Sequence, residues 1–214
     1  MKKIYTIILS FFSLLVVSQN EQLAQNYFDK GEFDKAASLY EEMEKKQPNN
    51  FYFTQKLVAC FQGLKQFDKA EKVLLSKKET NNQPIIFVEL GYNAQLEKDQ
   101  NKADLYYKKA LDVVAKQPNY AYQIGQAYEQ KSLLLQAYST YEIAQKTNSS
   151  MNFDYQMALL QGQMGNLDVM VVKLLDYSYA NINSTLSVQN QLVFFMQDDA
   201  ENVFANSLKK ELLL

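Results

Sequence analysis

The chain has 214 residues with 22 basic and 24 acidic side chains, and every basic residue is Lys because the sequence contains neither Arg nor His. Missing His excludes Ser-His and Cys-His nucleophile pairs and His-ligated zinc. Missing Arg removes the planar group that binds carboxylate and phosphate bidentately. The formal net charge of -2 does not provide the excess positive charge that nucleic-acid binding needs. These absences favour a binding protein over an enzyme.

The first 18 residues have the pattern of a secretory signal peptide. Lys2 and Lys3 precede an uncharged, largely apolar run over residues 4–17, and the small residue Ser18 precedes Gln19. The run is shorter than the ~20 residues that a membrane-spanning helix needs. We therefore expect cleavage and a periplasmic or secreted protein, with an uncleaved membrane anchor over residues 4–17 as the alternative.

The single Cys60 lies in an apolar stretch, between Ala59 and Phe61. A lone Cys cannot form an internal disulfide, and free Cys in apolar surroundings behaves as a small hydrophobic residue. The sequence therefore predicts that Cys60 is buried and inert.

Internal repeats are the strongest signal in the sequence. The tetrapeptide Phe-Asp-Lys-Ala ends at Ala36 and again at Ala70, 34 residues later, and Ala103 and Ala137 continue the same spacing. An aromatic residue follows one helical turn later in three of the four repeats, as at Tyr40 after Ala36. A small residue followed by a ring predicts a helix that packs closely against a neighbour.

A second helical segment precedes each of these Ala residues. Its small or apolar positions, such as Leu57 and Leu90, step by about the same interval, and Pro48, Pro84 and Pro118 fall between successive units. Because Pro can begin a helix but not cross one, each unit is predicted to be a helix, a short turn, a second helix and a junction.

This pattern resembles the tetratricopeptide repeat proteins, whose units of about 34 residues form antiparallel helix pairs. The resemblance implies an all-α, right-handed superhelical solenoid, with repeats at about 17–50, 51–83, 84–117, 118–150 and 151–183 and an array over residues 19–183. Met170 replaces the repeated Ala in the fifth repeat, and Ala94 stands where a Tyr is usual.

Residues 184–214 depart from the repeat. Leu186 to Phe195 predict one helix, and Asp198 and Asp199 could cap another that runs to Leu212. We expect either a diverged helix pair or the start of a further repeat in a longer array.

In the resembled family the first helix of each pair lines the concave face, which implies a binding groove on those helices. The side chains expected there are mainly Tyr and amides, a neutral surface suited to an extended or helical peptide with little salt dependence. The alternative is that Tyr, Gln and Asn are abundant and merely keep this face soluble. The expected groove residues are Glu21, Gln25, Tyr52, Gln55, Gln62, Tyr92, Gln95, Tyr122, Gln126, Asn152 and Tyr155.

The family's clamp for a terminal carboxylate uses Lys, Arg and Asn from adjacent first helices. The corresponding positions here include Glu21, Gln25 and Lys56, and no Arg is available. A chaperone-type clamp is therefore not expected.

No phosphate-binding Gly loop, metal-ligand spacing or nucleophile motif is present in the sequence. The sequence thus predicts a non-enzymatic scaffold of the cell envelope, without cofactor, metal or catalytic residues, that binds a protein or peptide partner. Nucleic-acid binding and stable membrane insertion after signal cleavage are not expected. A glycan-binding subunit or an envelope enzyme built on a helical repeat is the alternative, because aromatic and amide side chains also suit sugars.

Overall fold

A computed structural model describes residues 19–81, 83–197 and 202–212. The predicted signal peptide over residues 1–18 lies outside this range, as do Asp198 and Asp199. All regular elements in the described residues are helices, and none is a strand. The predicted all-α helical-repeat class is therefore confirmed.

The chain divides into two compact units, the first ending at Tyr107 and the second beginning at Lys108. The boundary falls within helix α6. The first unit contains α1 over residues 19–29 and the start of α6. Its other helices are α2 (Phe33–Lys46), α3 (Phe51–Gly63), α4 (Phe67–Asn81) and α5 (Ile85–Leu96), and α6 spans Gln100–Lys116.

The second unit continues the succession of helix pairs. A 3-10 turn over Pro118–Tyr120 precedes α7, and another over Ile182–Ser184 precedes α11. The helices are α7 (Ala121–Glu129), α8 (Leu134–Thr147), α9 (Asp154–Gln163), α10 (Leu167–Ala180), α11 (Thr185–Gln197) and α12 (Val203–Leu212).

The same backbone turn joins the two helices of five pairs. One residue in each turn has a positive φ, and two backbone hydrogen bonds close a Schellman motif around it. In the first pair Gly31 N–H donates to the Phe28 carbonyl and Glu32 N–H to the Tyr27 carbonyl, at 3.0 and 2.9 Å. The left-handed positions are Gly31, Lys65, Lys98, Ser132 and Gly165.

The repeated Ala positions lie at the centre of the packing, as predicted. Ala36, Ala70, Ala103 and Ala137 are all fully buried. Because Ala has no side chain beyond Cβ, the neighbouring helices can approach closely at these positions. Cys60 is also fully buried, which confirms the predicted burial of its side chain.

Glycines on first helices make room for large side chains of the helix that follows. A Cβ on Gly125 would lie 2.4 Å from Cζ of Tyr141, and the buried Tyr141 ring fills that space. In the fifth pair a Cβ on Gly162 would lie 2.2 Å from the sulfur of Met170. This close fit explains how Met170 can occupy the position held by Ala in the other repeats.

Successive repeats in the first unit are also joined by lysines. The Lys77 ammonium lies in a buried ion pair with Glu44 and donates a hydrogen bond to the Pro48 carbonyl at 2.9 Å. Lys102 Nζ lies 2.8 Å from Glu71 Oε2. Pro48 itself lies in the junction between α2 and α3, consistent with the predicted place of the prolines.

The last two helices pack on α10. Val188 and Leu192 from α11 and Phe204 from α12 join a core with Met170 and Leu174 of α10. The apolar run from Leu186 to Phe195 is thus helical, as the sequence predicts.

Candidate protein-binding surface

Three of the expected groove residues meet around one cleft in the first unit. The cleft has a volume of about 480 Å³ and lies between α1 and the start of α3. The α1 residues fall on one helix face because their spacing follows the helical period. The lining residues are Glu21, Gln22, Gln25, Asn26, Asp29 and Tyr52.

Gln25 is fixed in orientation by three hydrogen bonds. Its Nε2 donates to Asp29 Oδ1 at 2.6 Å, and its Oε1 accepts from Lys56 Nζ at 2.8 Å and from the Tyr40 hydroxyl at 3.2 Å. An amide carries both donors and an acceptor, and here partners on both sides set which atom points where. The cleft therefore has a preorganised polar wall.

Tyr52 supplies the aromatic surface of the cleft. Its side chain is 40% exposed, and Lys56 Nζ lies 5.5 Å from its ring centroid and 5.1 Å from that of Phe28. Partial burial, followed by the charge and hydrogen bond of Glu21, raises the pKa of the Tyr52 phenol. Tyr52 thus stays neutral and offers an exposed ring with its hydroxyl directed to a carboxylate.

The other amides expected in the first unit bond to neighbouring helices. Gln55 Nε2 donates to Glu89 Oε1 at 2.9 Å, and Gln62 Nε2 donates to Asn93 Oδ1 at 3.3 Å. Both bonds join α3 to α5. These side chains hold successive repeats together, so only their remaining polar atoms are available to a ligand.

The α5 members of the expected set lie one turn apart. Gln95 Oε1 accepts a hydrogen bond from the Tyr107 hydroxyl at 2.8 Å, and Tyr92 is half-buried. Burial, with smaller contributions from Tyr92, Asp104 and Glu89, raises the pKa of Tyr107. The Gln95 amide therefore anchors the buried phenol of the following helix.

In the second unit two of the expected residues lie on α7 and the other two lie around the start of α9. Tyr122 is 51% exposed on α7, and its hydroxyl accepts from Gln126 Nε2 at 3.0 Å. Asn152 Oδ1 accepts the Asp154 N–H at 2.9 Å in a turn just before α9. The Tyr155 ring lies 5.6 Å from that of Tyr177, and burial raises the pKa of Tyr155.

Sequence reasoning missed three lining residues of the first-unit cleft, namely Gln22, Asn26 and Asp29. The helical period could have identified them, because Gln22 and Asp29 lie three and four positions from Gln25, Asn26 lies four from Gln22, and positions three or four apart share a helix face. With Glu21 and Asp29 both present, the cleft carries more acidic groups than the neutral face expected from the sequence.

The part of the chain that the structure describes contains no cluster of three or more His, Cys, Asp or Glu side chains suited to a metal ion. Within the same residues, no helix combines the length and the apolar character that crossing a membrane requires.

No protein-family model matches the chain. Among curated proteins it is similar to the BBSome complex member BBS4 of Bos taurus, at 26% identity over 171 residues, which is 77% of this chain and 32% of that protein. The BBSome complex member BBS4 of Mus musculus is 32% identical over 92 residues, 43% of this chain and 18% of that protein. The chain spans about a third or less of the length of these relatives.

Solved structures of tetratricopeptide repeat proteins are also similar to the chain. A thermophilic protein of this type from Thermus thermophilus has a TM-score of 0.43 at 17% identity, covering 83% of this chain and 99% of that chain. The TPR2AB domain of yeast Sti1, in its complex with pHSP90, has a TM-score of 0.41 at 15% identity, covering 92% and 95%. The repeat spacing and helix pairs described above give this chain the tetratricopeptide type of fold.

Proposed function

We propose that the chain is a non-enzymatic scaffold for protein–protein interaction and that it binds an extended polypeptide segment in the cleft between α1 and α3. The proposal rests on the wall of the cleft, where the exposed Tyr52 ring lies beside the oriented Gln25 amide and the carboxylates of Glu21 and Asp29. This combination of a rigid ring and fixed polar groups is typical of surfaces that recognise peptides.

The polar groups of the cleft define the chemistry of the segment. Gln22 and Asn26 are exposed amides that can pair with both N–H and carbonyl groups of an extended backbone. Glu21 and Asp29 add acceptors that favour N–H groups and Lys or Arg side chains. The segment that fits best is therefore extended and carries at least one basic residue.

The curated relatives support a role within an assembly, since both are named as members of a complex. The other expected residues are proposed contact points within their own unit: Gln55, Gln62, Tyr92 and Gln95 in the first, and Tyr122, Gln126, Asn152 and Tyr155 in the second. Exposed side chains among them, such as the Tyr122 ring, would add contact area in that unit.

Export to the periplasm or medium belongs to this proposal and rests on the sequence of residues 1–18. A mature chain that begins at Gln19, seen by intact mass and N-terminal sequencing of protein from its native source, would support cleavage. Recovery of a chain that retains Met1 to Ser18 would instead support the membrane-anchored alternative.

Cross-linking in the native cell envelope, followed by affinity capture and mass spectrometry, tests the function. We expect one or more proteins cross-linked to α1 and α3, with their own cross-linked peptides extended and basic. Cross-links confined to other helices would contradict the proposed cleft. Capture of oligosaccharides in place of proteins would favour the glycan-binding alternative.

A further inference from the structure

Polar groups stand at a regular interval along the α1 wall of the cleft. Glu21, Gln25 and Asp29 follow one another at every fourth position of this helix, and all three line the cleft. A rise of about 1.5 Å per residue separates successive members by about 6 Å along the helix axis and the two carboxylates by about 12 Å. The wall therefore presents a carboxylate, an amide and a second carboxylate in a row.

Each carboxylate of this row is held by another side chain of the cleft. Gln25 Nε2 donates to Asp29 Oδ1 at 2.6 Å, and the Tyr52 hydroxyl forms a hydrogen bond with the Glu21 carboxylate. Because a carboxylate has two oxygens and accepts several hydrogen bonds, one bond to the wall leaves acceptor positions for a ligand. Both carboxylates are thus positioned before a ligand binds, which reduces the entropy that binding costs.

An extended polypeptide carries side chains at a matching interval. Alternate side chains lie on the same side of the chain, and residues i and i+4 are about 13 Å apart. Such a pair can reach Glu21 and Asp29 together, whereas residues i and i+3 point to opposite sides. A helical ligand bonds its own backbone groups internally, so it could not use the exposed amides of Gln22 and Asn26 in the same way. The row therefore matches an extended segment.

Lys56 determines which side chain suits the middle of the row. Its Nζ donates to Gln25 Oε1 at 2.8 Å and lies 5.5 Å from the Tyr52 ring centroid. Because an ammonium group only donates hydrogen bonds, it keeps the Gln25 oxygen towards itself and the Gln25 nitrogen towards Asp29. The positive charge of Lys56 also repels a basic side chain that approaches Gln25.

We propose that the cleft selects an extended segment with basic residues at positions i and i+4 and a neutral residue at i+2. The two basic side chains pair with Glu21 and Asp29, and the neutral side chain faces Gln25. Lys56 is the residue that determines specificity at the middle position. This inference rests on the proposed function and adds the spacing and the charge order of the bound segment.

Nuclear magnetic resonance titration of the isotope-labelled full chain with three short peptides tests the proposal. The first peptide, Gly-Lys-Ala-Ser-Ala-Lys-Gly with blocked ends, has its lysines four residues apart. The second, Gly-Lys-Ala-Ser-Lys-Ala-Gly, has the same composition with the lysines three apart. We expect the first to shift resonances of α1 and to bind about fivefold more tightly than the second, the upper range for one exposed ion pair.

A third peptide, Gly-Lys-Ala-Lys-Ala-Lys-Gly, tests the role of Lys56. It should bind the wild type no more tightly than the first peptide, although its charge is higher. Lys56→Met keeps an apolar stem against the Phe28 and Tyr52 rings and removes the charge. In this variant the third peptide should bind more tightly than the first.

Variants of the two carboxylates test the pairing. Glu21→Gln and Asp29→Asn retain the side-chain shape, and each should abolish the preference for the first peptide over the second. The control Asp112→Asn, at an exposed position on α6, should keep that preference.

Three outcomes would count against the proposal. Equal affinities of the first two peptides for the wild type, with α1 resonances shifted, would overturn the spacing while leaving the cleft as a peptide site. Shifts confined to other helices would overturn both the spacing and the proposed cleft. Tightest binding of the third peptide to the wild type would show that Lys56 does not select the middle position.

Discussion

Gly91 on α5 lies directly against the ring of Tyr107 on α6: a Cβ at position 91 would be 2.3 Å from Tyr107 Cε1. The Tyr107 hydroxyl donates to Gln95, one turn further along α5. Absence of a side chain at Gly91 therefore allows the buried phenol to reach its partner. The same relation joins Gly125 to Tyr141, whose hydroxyl donates to Glu129 Oε1 at 2.7 Å.

The first prediction concerns this contact. Gly91→Ala should lower the free energy of unfolding by about 1–3 kcal/mol, because the added methyl overlaps the Tyr107 ring. Urea denaturation followed by circular dichroism measures the change. Ala is about 1 kcal/mol better than Gly inside an unobstructed helix. A gain in stability for Gly91→Ala would therefore show that the ring does not constrain this position.

The left-handed turn positions supply a second prediction. Lys98 has a φ of 69°, which costs a residue with a Cβ roughly 1–2 kcal/mol relative to Gly. Lys98→Gly should raise the free energy of unfolding by about 1 kcal/mol or less, since Gly also gains freedom in the unfolded chain. Thermal and urea unfolding measure the change.

The matched control for this prediction is Lys72→Gly, at an exposed position within α4. It should lower stability by about 0.5–1 kcal/mol, the usual cost of Gly inside a helix. If both variants lost stability equally, the turn at Lys98 would not be strained.

A third prediction follows from a buried hydroxyl. Thr54 on α3 is fully buried, and its Oγ1 has no hydrogen-bond partner in the part of the chain that the structure describes. Thr54→Val replaces the hydroxyl with a methyl of similar shape and should raise the free energy of unfolding by about 1 kcal/mol. Thr54→Ser keeps the hydroxyl and removes a methyl, so it should lower the free energy of unfolding. A loss of stability in Thr54→Val would show that Oγ1 is hydrogen-bonded in solution.

Cys60 gives a fourth prediction, on reactivity. Burial raises the pKa of the Cys60 thiol to about 12, and the nearby charge of Lys56 opposes only part of that shift. Very little thiolate is therefore present near pH 8. Iodoacetamide should leave the native chain unlabelled and label it rapidly once it is unfolded in urea, as read by intact mass. Rapid labelling of the native protein would contradict the buried placement.

The fold could be predicted largely from the sequence because its signals are local and repeated. Ala36 and Ala70 mark the buried position of each repeat, and the prolines mark the junctions between repeats. Some side-chain hydrogen-bond partners could not be predicted, because they depend on packing between repeats. Gln55 was expected to face a ligand, yet its Nε2 donates to Glu89 on α5. The positive φ at Lys98 also has no signal in the sequence, since Lys does not favour that conformation.

The contacts of the Lys in the repeated tetrapeptide also could not be predicted from the sequence. Lys35 Nζ lies 5.2 Å from the Tyr27 ring centroid, and Lys69 Nζ lies 5.7 Å from that of Phe61. Lys102, at the equivalent position in the third repeat, pairs instead with Glu71. Position 94 on α5 is equivalent to Tyr27 and Phe61 of the first two repeats. It holds Ala, which offers no ring, so Lys102 binds the Glu71 carboxylate of the preceding repeat.

The cleft between α1 and α3 is tested most directly by affinity. Once a partner segment is identified by cross-linking, its synthetic peptide can be titrated by calorimetry into wild-type protein, Tyr52→Ala and the control Leu135→Ala. We predict that Tyr52→Ala weakens binding about tenfold or more, equivalent to about 1.4 kcal/mol, because an aromatic anchor is lost. Leu135→Ala should bind as the wild type does. Equal dissociation constants for wild type and Tyr52→Ala would contradict the assignment of this cleft as the binding site.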